Sequence, residues 1–145
     1  MRFMLQVRAD RDSEAGKMPT AELVAAMGKF NEEMMNAGVM LAGEGLHPSA
    51  KGARIVFAGG APKIVEPPFA APKELIAGFW IIQVESREAA IDWARRAPFG
   101  KGAVLELRQV FEASDFPADI LPPEEAAKEQ GWRDAQQART LPSSG

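Results

Sequence analysis

"GFWIIQVESREAAIDWARRA", residues 78 to 97, changes period part-way along, and that change decides the fold. Its first nine residues form the strongest strand candidate in the chain, with Phe79, Ile81 and Gln83 on one side. From Ser86 onward the pattern is helical: Ala90, Ile91 and Ala94 share a face, the Ser86 hydroxyl is placed to cap the start, and Pro98 blocks continuation. A second strand follows at once in "GAVLELRQV", residues 102 to 110. The unit is strand, helix, strand.

The same unit occurs upstream. "FMLQVR", residues 3 to 8, alternates Phe3, Leu5 and Val7 against Met4, Gln6 and Arg8. After a polar loop, Thr20 caps a helix that carries Leu23, Met27, Phe30 and Met34 at helical spacing and ends near Gly38. "VMLAGEG" and "ARIVFA" then read as short strands, with a turn at Gly59-Gly60 leading to a brief third piece around Ile64 and Val65. Strand, helix, hairpin, strand, helix, strand is the order of a split βαβ sheet with its helices on one face, an α+β class.

Composition limits the function classes. The chain has 145 residues, 46% of them hydrophobic, and no cysteine. That is enough for one core without staples, and it excludes disulfides and thiolate chemistry. Seventeen basic against twenty acidic residues leave a net charge of -3, so no electrostatic footprint for nucleic acid exists. The start, "MRFMLQVRAD", turns charged too soon for a signal peptide. The expectation is a cytoplasmic protein without a membrane segment. Its boundaries are placed at residues 1–112 for the sheet domain and 113–145 for a tail, where Pro122-Pro123 opens a short helix that docks or frays.

"GEGLHP", then "VEPPFAAPKELIAGFWIIQVESREAAIDWARRAP", then "AVLELRQV" together resemble the YCII-related family, in its branch marked by an Asp-Gly-Pro-Phe motif. Glu66-Pro67-Pro68-Phe69 stands here in place of that motif, keeping a carboxylate and losing the glycine's freedom. The resemblance implies a ferredoxin-like subunit that forms a homodimeric α+β barrel. Distant relatives resemble small dehalogenating or lactone-processing enzymes, whose histidine and aspartate do not map onto this chain. Some relatives occur alongside extracytoplasmic-function sigma factors.

A sheet with helices on one face needs something on the other. The strand alternation puts Met4, Gln6, Arg8, Phe79, Ile81, Gln83, Glu106 and Arg108 on that second face, apolar area mixed with paired charges. This reads as the floor of a small-molecule cavity, with Arg108 anchoring an anion or carbonyl and Glu106 steadying its guanidinium. The alternative is a structural ion pair at the interface. His47, the single histidine, reads as a general base oriented by Glu44 or as an exposed loop residue, with Gly45 beside it as a hinge. Glu66 and Lys73 bracket "PPFAAP"; Glu66 is either an acid/base group or a loop support. The catalytic candidates are thus Glu66, Glu106 and His47, and the ligand-binding candidates Arg108, Gln6, Arg8, Gln83, Glu44 and Lys73. No residue spacing specifies a metal or a cofactor, and none is expected. Two functions fit: a cofactor-independent enzyme working by acid/base chemistry on a small carbonyl or aromatic compound, or a non-catalytic binding or regulatory module.

Overall fold

The computed structural model describes residues 1–69 and 72–140; Ala70 and Ala71 of the "PPFAAP" connection and tail residues 141–145 lie outside the described residues. The chain divides into two compact units, Met1–Gln109 and Val110–Gly145.

The first unit contains β1 (Arg2–Arg8), α1 (Arg11–Glu14), α2 (Ala21–Asn36), β2 (Met40–Gly45), β3 (Arg54–Val56), β4 (Lys63–Val65), β5 (Ile76–Gln83), α3 (Arg87–Ala94) and β6 (Leu105–Gln109). Four strands form an antiparallel sheet in the order β2-β5-β1-β6. With β3 and β4 set aside as an insertion, this is the β-α-β-β-α-β arrangement of a ferredoxin-like fold. The first strand sits inside the sheet, flanked by the two strands most distant from it in sequence.

The helices begin where the sequence predicts. Thr20 Oγ1 accepts the Leu23 N–H at 3.1 Å, Ser86 Oγ accepts the Ala89 N–H at 3.1 Å, and Gly38 follows α2 with φ +71°. Their inner stripes meet one face of the sheet. Phe3, Leu5, Phe30, Met34, Trp80, Ile82, Val84 and Ala90 are buried together, with Met27, Trp93 and Ala94 packed against them. Trp93, rather than the expected Ile91, brings the large side chain of α3 to this core. At about 1.5–3 kcal/mol for each large apolar side chain, this one-sided layer is what holds the unit together.

Three local readings are corrected. The polar loop after β1 contains the short helix α1, because Asp10 and Ser13 form a reciprocal cap: Asp10 accepts the Ser13 N–H at 2.8 Å, and Ser13 Oγ accepts the Asp10 N–H at 2.9 Å. Gly45 is no hinge. It ends β2 opposite Gly78 and lacks a left-handed φ. The tail helix, α4 (Pro123–Thr140), is 18 residues long rather than short. Its Ala, Glu, Gln, Lys and Arg content favours helix, and Glu125 with Lys128 at 2.7 Å and Glu129 with Arg133 at 3.5 Å add pairs along its surface. Inside this second unit the rings of Phe111 and Phe116 meet at a tilt of 39° with centroids 5.1 Å apart.

The Asp10 cap has a pH signature. The Ser13 backbone N–H holds the Asp10 carboxyl below its usual value of 3.8. A carboxyl lowered on folding contributes stability above its unfolded value, and that contribution disappears as pH falls through the folded value. Asp10→Ala should therefore cost about 0.5–1 kcal/mol at neutral pH. In urea titrations the gap between variant and parent should close as pH drops below 3.8; a gap that persists in acid would assign the effect to packing.

Candidate functional site

Register decides what the outer face of the sheet displays. Met4 pairs with Ile81 on one side and Arg108 on the other; Gln6 pairs likewise with Phe79 and Glu106. Residues paired across neighbouring strands point to the same face, so the alternation brings these six together. Gln83 joins them opposite Arg2, and Glu44 opposite Phe79 at the β2 edge. Arg2 escaped the sequence reading although the alternation, extended two residues back from Met4, contains it. Within Met1–Gln109 both long helices lie on the other face, so neither of them covers Met4, Phe79 or Ile81, which are half-buried.

Glu106 organises the charges. Arg8 Nη2 donates to its Oε1 at 2.9 Å, and Arg108 Nη1 lies 3.7 Å from its Oε2. Side-chain exposures of 30% for Arg8, 37% for Glu106 and 69% for Arg108 make Arg8 the better-held cation and Arg108 the freer one. The expected order of partners is thereby reversed, because the β1 chain carries Arg8 just past Gln6, next to the β6 carboxylate. At this exposure the pair contributes about 1 kcal/mol or less to stability. Its greater effect is to orient the Arg8 guanidinium on the outer face. Gln6 Nε2 donates weakly to Met4 Sδ at 3.6 Å.

The remaining candidates lie elsewhere. His47 is exposed in the loop after β2 and has no hydrogen bond or ion pair among the described residues, to Glu44 or to any other. That loop is tied at its far side, where Ser49 N–H donates to Glu14 Oε1 at 3.2 Å. Glu66 is exposed just after β4, and Lys73 is exposed in the 3-10 turn Pro72–Glu74. Neither bonds to a residue of the sheet face. The guanidinium of Arg54 lies 4.2 Å from the ring centroid of Phe69, so Phe69 supports the base of the β3–β4 ribbon.

An open depression lined by Met1, Val39, Gln83, Glu85 and Trp93, among others, shares only Gln83 with these candidates. Among the described residues no group of His, Asp and Glu is arranged to hold a metal ion, and no helix is long and apolar enough to cross a membrane.

The model of the YCII-related domain matches residues 1–114. The chain belongs to the YCII-related family. No curated protein matches it significantly. Among solved structures, the chain is similar to 5-chloro-2-hydroxyhydroquinone dehydrochlorinase from Burkholderia phenoliruptrix AC1100, in complex with 2,5-dihydroxybenzoquinone. Identity is 15% and the TM-score 0.43, over 81% of this chain and 100% of that one.

Proposed function

We propose that this YCII-related protein binds a small anionic or carbonyl-bearing compound on the outer face of its sheet, enclosed when a second copy closes over that face as a dimeric α+β barrel. The observation that carries this is the Arg8–Glu106–Arg108 array beside Phe79 and Ile81, on the face of the sheet opposite the two long helices of Met1–Gln109. Arg8 is the principal anchor. A guanidinium presents paired donors that match a carboxylate, and Glu106 keeps that fork oriented. Phe79 and Ile81 supply the apolar floor, and Gln6 and Gln83 give neutral polar contacts. No cofactor enters this reading.

Both oxygens of Glu106 face guanidinium groups, so its role is to orient them. Catalysis, if the bound compound is turned over, falls instead to Glu44. It stands on the same face opposite Phe79, makes no ion pair among the described residues, and is exposed. A carboxylate so placed can move a proton next to a carbonyl held by Arg8.

The test is a thermal-shift and calorimetric screen of small aromatic and aliphatic carboxylates and quinones against the full chain. A ligand should raise the melting temperature, and Arg8→Gln should weaken its binding at least tenfold, the loss of about one charge-assisted contact. Arg8→Gln combined with Glu106→Gln checks that the loss is not caused by an unpaired carboxylate. Equal affinity in parent and double variant would overturn the assignment. For any compound that is consumed, Glu44→Gln should abolish turnover and leave binding intact.

A further inference from the structure

The ribbon formed by β3 and β4 stands apart from the core. Ile55 pairs with Ile64, Arg54 with Val65 and Val56 with Lys63, in a two-stranded sheet of its own. Every residue from Ala50 to Glu66 is exposed. Five of them are large and apolar: Ile55, Val56, Phe57, Ile64 and Val65, with Phe57 79% and Ile64 69% exposed. A hairpin of three paired residues per strand is marginal alone in water, and an apolar cluster of this kind marks an interaction surface.

The ribbon is inserted between β2 and β5, so it is rooted at the β2 edge of the four-stranded sheet. Arg54 is held over Phe69 of its own subunit at 4.2 Å. Its pair mate Val65 lies on that same side, and the Ile55–Ile64 side is left facing outward.

Area identifies the occupant. With four strands of five to eight residues, at ordinary strand spacing and rise, the outer sheet face measures roughly 19 by 17–27 Å, about 300–500 Å². Each partner in a standard interface gives up about 800 Å². Two outer sheet faces laid together therefore give less than a standard interface, and the exposed ribbon is rooted beside one edge of each. We propose that the β3–β4 ribbon is a dimerisation arm whose Ile55–Ile64 side packs on a second copy of this chain at the rim of its outer sheet face, completing the wall of the ligand chamber. This rests on the barrel dimer proposed above.

The experiment is sedimentation equilibrium of the full chain, parent against Phe57→Ser, Ile64→Ser and the double variant. These positions are exposed in the single chain, and circular dichroism verifies that the fold is kept. A twofold dimer carries each substitution twice, so each should weaken dimerisation at least tenfold and the double variant about a hundredfold. A double variant that dimerises as tightly as the parent would overturn the arm and leave the barrel dimer standing. A parent that stays monomeric at about 100 μM, near the weak end of specific association, would overturn both. Because the chain has no cysteine, Ala58→Cys carrying an environment-sensitive fluorophore gives a second reading. Its emission should shift to the blue as the dimer forms, and emission independent of concentration would count against the arm.

Discussion

Trp80→Ala is expected to remove about 3–5 kcal/mol of stability, a large share of the roughly 5–15 kcal/mol typical of a domain. Trp80 is buried in β5 opposite Leu5. Its ring meets Phe30 edge-on at 5.5 Å and Phe99 at 6.2 Å, joining α2 and the segment after α3 to the sheet. Its indole Nε1 donates to Asn31 Oδ1 at 2.8 Å. Alanine empties the ring site and leaves the Asn31 oxygen without that donor. Trp80→Phe retains most of the apolar volume and loses the hydrogen bond, so it should cost about 1–2 kcal/mol. Urea denaturation followed by circular dichroism measures both. A loss under about 1 kcal/mol for the alanine variant would mean that the core closes over the gap, contrary to the partial relaxation expected of a packed interior. Because Trp80 lies between Phe79 and Ile81, its seating also fixes the backbone that displays the outer face.

Gly78→Ala should destabilise the same unit by about 1–3 kcal/mol and disturb the face directly. A Cβ on Gly78 would lie 2.9 Å from the Glu44 backbone oxygen and 3.4 Å from Gly45 Cα. The obstacle is backbone, so relief requires β2 to move away from β5, taking Glu44 with it. Gly45→Ala is the internal control. Its Cβ would meet nothing within 4 Å, and its backbone is not left-handed, so the expected change is within about 0.5 kcal/mol. The two variants differ by one methyl on facing residues of the same strand pair. Equal stabilities in urea would refute the close-approach argument and return Gly45 to the hinge role that its sequence context had implied.

The contrast between these two glycines shows where sequence reasoning stops. "GEG" in a turn-rich stretch points to Gly45, and nothing local to Gly78 reveals that another strand's carbonyl lies against it. Period and caps were legible: the alternation of Phe3, Leu5 and Val7, the stripe through Met27, Phe30 and Met34, and the hydroxyls of Thr20 and Ser86 all have the predicted roles. These depend on neighbours within a few residues. The Asp10–Ser13 cap was equally local, but it opens too short a helix to leave a periodic signal.

By itself the sequence determined the α+β class, the split βαβ order and most of the outer face, with Arg2 and Glu44 left out, because side-chain direction along a strand or helix follows from backbone periodicity alone. Only the tertiary structure decided that Glu106 is held chiefly by Arg8, that Gly78 rather than Gly45 is sterically confined, and that β3 and β4 form a ribbon exposed along its whole length. Those properties depend on strand register and on contacts between residues as far apart as Arg8 and Glu106. Such contacts are set by how the whole core packs, and no local pattern encodes them.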